Sequence, residues 1–200
     1  MSKIGVLSLQ GGVEEHLELL SQIEGVEPLA VKKKDDILKV DGLILPGGES
    51  TTIGKLLDIF DLKDTIVSRA NAGIPLWGTC AGMILLAKEI DGEKSHLNLM
   101  DIKVRRNGYG NQLDSFKREV SIPKVSNKAI PLVFIRAPFV EEVGPSTEIL
   151  LKLDGKIVGV EEENLLATSF HPELENDLSF HKYFVNKVKK SSYSNLKIAK

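Results

Sequence analysis

The single cysteine of the chain sits in Gly78-Thr79-Cys80-Ala81-Gly82, after one apolar run and before another. The pattern is Gly-x-Cys-x-Gly. In the serine form of this motif a strand enters a tight turn and then a helix, and the flanking glycines leave room for a strained nucleophile held clear of the backbone. Cys80 would stand at that turn, where the positive end of the next helix and a neighbouring imidazolium both favour a thiolate. A free cysteine is also among the most buried residue types, so the pentapeptide alone leaves a nucleophile and a packed thiol both open.

A base for such a thiol is offered by His171-Pro172-Glu173, which follows the apolar stretch 165–170. Pro172 biases His171 towards an extended conformation, in which side chains two residues apart return to one side, roughly 7 Å apart at the Cα atoms. His171 and Glu173 can then pair. The carboxylate would fix the ring tautomer and leave the other nitrogen to take a proton from Cys80. A surface histidine in a turn is the alternative. His16, His96 and His181 lie in polar or helical contexts and read as structural or exposed. A third feature, Pro46-Gly47-Gly48-Glu49-Ser50-Thr51-Thr52, could aim backbone N–H groups at an oxyanion; otherwise it is a plain turn in which Ser50 or Thr51 caps a helix.

The elements that would position these groups alternate. Apolar strands are expected at 3–9, 28–31, 41–45 and 74–77, and helical periodicity covers 13–23, 53–60 and 62–72. The charged run 32–36 reads as a solvated turn. Such alternation implies a three-layer α/β fold with a mostly parallel, doubly wound sheet, whose ligand sites lie beyond the carboxyl ends of the strands. Later strands are expected at 101–106, 119–122, 132–135, 148–153, 156–161 and 165–170, then a helix over 176–188 and a flexible basic tail over 189–200. The 200 residues suit one domain, 1–200.

Lys and Arg number 26 against 28 Asp and Glu, a formal charge of −2, which favours neither nucleic acid nor an anionic membrane as a partner. One cysteine rules out an internal disulfide, and with four histidines it supplies no zinc-ligand cluster, so no metal is expected. With no leader and no long apolar span, the chain reads as soluble and cytoplasmic.

Taken together, these motifs resemble the class I (triad) glutamine amidotransferases, and more closely the PdxT family, the glutaminase subunits of pyridoxal 5′-phosphate synthase. The resemblance is carried by Ile4-Gly5-Val6-Leu7, Leu9-Gln10-Gly11, Glu15-His16, Leu45 to Thr52, Gly78 to Gly82, Arg106-Asn107, Asp114-Ser115-Phe116, Phe134-Ile135-Arg136-Ala137-Pro138 and Ser169 to Leu174. It implies a flavodoxin-like fold with a nucleophile elbow, no cofactor, and hydrolysis of L-glutamine to glutamate and ammonia. It also implies Cys80, His171 and Glu173 as catalytic residues and the amides of Gly48 and Ala81 as the oxyanion hole. Gly48, Glu49, Ser50, Arg106, Ile135 and Arg136 would bind glutamine. Where the family usually has an aromatic-Gly-Arg-Gln stretch, this chain has Tyr109-Gly110-Asn111-Gln112. The implied partner is a (β/α)₈-barrel synthase subunit that consumes the ammonia. The competing readings are a different cysteine hydrolase with the same elbow and a non-enzymatic regulatory subunit.

Overall fold

A computed structural model describes residues 1–108 and 115–198, with side chains to residue 192. The Tyr109 to Gln112 departure, Asp114 and the last two residues of the tail lie outside the described residues.

The chain opens β1 (Ser2–Leu7), α1 (Val13–Ser21), β2 (Val26–Val31), α2 (Lys34–Lys39), β3 (Gly42–Leu45), α3 (Ser50–Ile59), α4 (Lys63–Asn71), β4 (Leu76–Thr79) and α5 (Ala81–Leu86). It continues through β5 (Ala87–Ile90), β6 (Met100–Arg105), β7 (Ser115–Ser121), β8 (Ala129–Ile135), β9 (Phe139–Val143), β10 (Glu148–Leu153), β11 (Lys156–Glu162) and β12 (Leu165–Thr168). A 3₁₀ turn at Pro172–Leu174 leads to α6 (Ser179–Ile198).

One half of the ten-stranded sheet runs β2-β1-β3-β4-β12, with every neighbouring pair parallel. This is the flavodoxin-like order, in which the chain reverses direction of growth next to its first strand and leaves a crevice there. Beyond β12 the order is β11, β9, β6, β5, and β11 lies antiparallel to β12, β9 and β10. β7 and β8 form a separate antiparallel pair, in register from Ser115↔Ile135 to Ser121↔Ala129.

Strand periodicity builds the layers. Ile4, Val6, Ile44, Trp77 and Leu166 join one core with α1 and α6, whereas Leu7, Leu43, Leu45, Leu76 and Ala167 join the other with α2 to α5. Covered on both faces, the central strands are apolar without polar alternation. Tyr183 Oη donates to Glu161 Oε2 at 2.6 Å and Lys187 Nζ donates to Oε1 of the same carboxylate, which holds α6 against β11.

Several boundaries differ from the sequence expectation. The charged run 32–36 enters α2 instead of a turn: the Asp36 carboxylate accepts the amides of Lys32 and Lys33 at 3.1 and 3.3 Å, and the helix buries Ile37. β5 and β9 are short strands that the pattern did not reveal. α6 runs past 188 to Ile198, because no glycine or proline interrupts 189–198; Ser191 Oγ also donates to the carbonyl of Gly73 at 2.9 Å. The frayed tail expected over 189–200 is therefore helical for most of its length.

Candidate active site

The nucleophile elbow is built from steric necessity. Cys80 takes φ 48° and ψ −101° between β4 and α5, a backbone strain that non-glycine residues tolerate only when their surroundings impose it. A Cβ on Gly78 would come within 2.3 Å of the Gly82 carbonyl oxygen, and one on Gly82 within 2.0 Å of that of Leu45. Both contacts are with backbone, which cannot swing aside. Gly82→Ala should therefore lose about 2 kcal/mol or more of stability, and a denaturant melt matching the parent would contradict the close packing of the elbow against β3.

His171 follows β12, and its amide donates to the Val133 carbonyl of β8 at 2.8 Å. Its Nδ1 lies 2.7 Å from Glu173 Oε1, and the Cys80 side chain stands close enough to the ring to favour its protonated form. The pair forms through the 3₁₀ turn at Pro172–Leu174 rather than an extended chain, with His171 at φ −108° and ψ 84°. Burial alone would lower the pKa of His171, but the nearby Cys80 side chain and the hydrogen-bonded Glu173 carboxylate push it up to about 10. At neutral pH the ring is thus an imidazolium. Gly47 sits directly against it: a Cβ there would lie 2.4 Å from His171 Cε1 and 3.4 Å from the Cys80 Cβ.

Cys80 and His171 open on a cavity of about 260 Å³ that Gly48, Glu49, Ser50, Ala81, Arg106, Ile135 and Arg136 also line. All the residues implied for glutamine therefore meet at one place. Ala81 begins α5, so its N–H is among the first-turn donors that have no partner within a helix. The Ile135 carbonyl is 4.0 Å from the Cys80 sulfur. Ser50 heads α3 without capping it through its side chain, and its buried Oγ has no hydrogen-bond partner, which leaves it free for a ligand. Arg106 is already engaged, with Glu49 at 2.8 Å, Glu93 at 3.0 Å and Thr51 at 3.2 Å. Of its five N–H donors, some remain for a substrate carboxylate. Exposed Arg136 has φ 42° and Asn107 φ 47°, so two further strained residues lie beside Cys80.

Two residues to which the sequence assigned no part in the chemistry stand at or behind this site. Gln10 lines the cavity, and its Oε1 accepts the Glu49 amide at 2.8 Å, filling space that a side chain on Gly48 would need. His16, expected to be structural or exposed, is wholly buried, with Nε2 3.4 Å from Glu173 Oε2. Its spacing, three residues after Val13 and four before Leu20 on the buried face of α1, was the available signal. His96 packs over Gly54, half-buried and away from Cys80. A larger cavity of about 470 Å³ beside α6 is lined by Lys124, Tyr183 and Lys187 among others, with neither cysteine nor histidine in its wall. Among the described residues, no three His, Cys, Asp or Glu side chains gather as metal ligands, and no helix is long and apolar enough to cross a membrane.

The fold is shared with known structures. A crystal structure of a glutamine amidotransferase aligns with a TM-score of 0.87 at 41% identity, covering 93% of this chain and 98% of that one. The PurLQS structure of Thermotoga maritima aligns with a TM-score of 0.63 at 19% identity over 98% of this chain and 99% of that one, a likeness of fold alone. The sheet order and the elbow at Cys80 are shared with that glutamine amidotransferase and place the chain among the class I glutamine amidotransferases. Residues 6–190 match the SNO glutamine amidotransferase family, and the chain belongs to that family. Among its curated relatives, the pyridoxal 5′-phosphate synthase subunit PdxT of Ruminiclostridium cellulolyticum is 59% identical over 94% of this chain and 100% of its own length. The protein of the same name from Thermoanaerobacter sp. strain X514 is 57% identical over 92% of this chain and 97% of its own.

Proposed function

We propose that the chain is a glutaminase in which Cys80 is the nucleophile, His171 its acid and base, and Glu173 the group that orients His171. It hydrolyses L-glutamine to glutamate and ammonia for the synthesis of pyridoxal 5′-phosphate. The observation that carries this reading is the order of the three groups: Cys80 and His171 line the cavity that gathers Glu49, Ser50 and Arg106, and the buried Glu173 carboxylate backs His171 at 2.7 Å.

The thiolate attacks the side-chain amide carbon, and the charge growing on the oxygen falls between the amides of Gly48 and Ala81. As the tetrahedral species collapses, the C–N bond breaks and His171 gives its proton to the departing ammonia. The neutral ring then takes a proton from water, which opens the thioester and frees glutamate and Cys80. Arg106 and Arg136 are suited to the substrate carboxylate and Glu49 to its ammonium. Ser50 Oγ and the Ile135 carbonyl complete the polar lining.

The ammonia passes to a separate synthase subunit, a (β/α)₈ barrel, with which the chain assembles; residues 1–200 form one glutaminase domain. The family match and the names of the PdxT relatives support this assignment. A working thiol also suits the reducing cytoplasm. Ammonia release from glutamine, measured for the full chain with and without the barrel subunit, tests the assembly: turnover should rise severalfold on docking. Equal rates in the two arms would overturn the dependence on a partner, and absence of glutamine turnover in both would overturn the activity.

A further inference from the structure

Behind Glu173 lies a buried histidine pair that the chemistry above does not use. His16 of α1 and His181 of α6 are both inaccessible to solvent. His16 Nδ1 is 2.9 Å from His181 Nε2, while His16 Nε2 is 3.3 Å from Thr79 Oγ1 and 3.4 Å from Glu173 Oε2. Trp77 stands edge-on to both rings, so the group is closed on that side by carbon. Burial holds His16 well below its ordinary pKa, and the charges of His181 and His171 push the same way. Burial also brings His181 down to about 4 against the opposing pull of Asp177. Both rings are neutral at neutral pH, and each carries one proton.

The surroundings decide where those protons sit. His181 Nδ1 is buried with no hydrogen-bond partner. Were its proton there, a buried N–H would be orphaned, which is rare and costly. His16 would then have to donate from Nδ1, setting the bare lone pair of its Nε2 against the carboxylate oxygen. With the proton on His181 Nε2 both faults vanish: His181 donates to His16 Nδ1, and His16 keeps its own proton on Nε2, facing Glu173 and Thr79. Glu173 Oε2 is itself buried and has no regular hydrogen bond; at 3.4 Å the contact from His16 is stretched. Catalytic hydrogen bonds in ligand-free enzymes are often long and tighten when charge develops.

We infer that His16 is a positioning residue: its Nε2–H, set by His181, holds the second oxygen of Glu173, so that the first oxygen stays on His171. The inference rests on the proposed role of Glu173 as the orienter of His171. A carboxylate gripped at one oxygen can pivot about its Cγ–Cδ bond, whereas one gripped at both cannot. A neutral donor suits the position, because a second imidazolium would compete with His171 for the same charge.

Glutaminase kinetics of the full chain with the barrel subunit test this. His16→Phe keeps the ring shape without a donor and should lower kcat roughly ten- to hundredfold, the worth of a hydrogen bond to a charged group, with KM for glutamine nearly unchanged. His16→Gln, whose amide reaches the Nε2 position, should recover most of that loss; His16→Asn, whose amide reaches only the Nδ1 position, should not. In a Glu173→Ala background His16→Phe should cost little more. Parental kcat in His16→Phe, equal activity of the Gln and Asn variants, or a full additional loss in the Glu173→Ala background would each overturn the inference. If His16→Phe fails to fold, the Gln and Asn pair decides the matter. Parental activity in Glu173→Ala alone would overturn the triad reading instead, and this inference with it.

Discussion

Cys80→Ala should abolish glutamine turnover, by at least about 10⁴-fold, because it removes the covalent step and leaves only binding and the oxyanion donors. The rest of the cavity lining is untouched by that change, so glutamine should still bind, and calorimetric titration of the alanine variant can read it. Stability separates a second consequence of the same residue. At φ 48° and ψ −101° the backbone of Cys80 carries strain of about 1–3 kcal/mol. Alanine inherits that strain, while glycine relieves it at an entropic cost of about 1 kcal/mol or less. Cys80→Gly should therefore melt at or above the parent and Cys80→Ala should not, although both are inactive. Residual turnover in purified Cys80→Ala would refute the nucleophile, and a glycine variant less stable than the alanine variant would refute the strain.

His171→Asn should also cost several powers of ten in kcat, since the nucleophile loses its base and the leaving ammonia its acid. The raised pKa of the ring makes a separate claim about stability. Below its ordinary value of 6.5 the ring is protonated whether the chain is folded or not, so the stabilisation it supplies is fully present. Between 6.5 and about 10 the unfolded ring loses its proton while the folded ring keeps it, and the contribution drains away as pH rises. The stability margin of the parent over His171→Asn should thus be widest below 6.5 and narrow steadily towards pH 10. A margin that stays flat, or widens, across that interval in urea titrations would show that the imidazolium is not held by Cys80 and Glu173.

What could be read from the chain alone depended on whether a residue's role left a local mark. Cys80 and His171 sit in short motifs where glycine and proline restrict the backbone, so their environment was visible in their immediate neighbours. The parallel core was visible because strands covered on both faces must be apolar throughout. His16 left a fainter mark. The apolar positions 13, 17, 20 and 23 suggested one face for α1, but the helix buries Val13, His16, Leu19 and Leu20, and its polar member meets a carboxylate from the far end of the chain. α2 was hidden by its own charges, since Asp36 turns back to cap its first turn while Ile37 alone faces inward. The prior engagement of Arg106 by Glu49 and Glu93 depends on a meeting of three elements, which no spacing along the chain encodes.

The β7–β8 pair gives the site a division of labour. Cys80 is fixed to the ten-stranded sheet through its amide, which donates to Thr168 at 2.8 Å, whereas the amide of His171 is tied to Val133 on the separate pair. Besides that hydrogen bond, the pair meets α6 through a relay of rings: Phe116 stacks on Phe134, Phe134 meets Phe170 edge-on, and Phe170 meets Phe180. A ladder of hydrogen bonds holds its register or breaks, but packed rings can slide by fractions of an ångström. A push on this hairpin from outside would re-aim the imidazole while leaving the thiol where it stands. The two halves of the reacting pair thus take their anchors from different sheets, and the spacing of sulfur and imidazole depends on how the hairpin sits against α6.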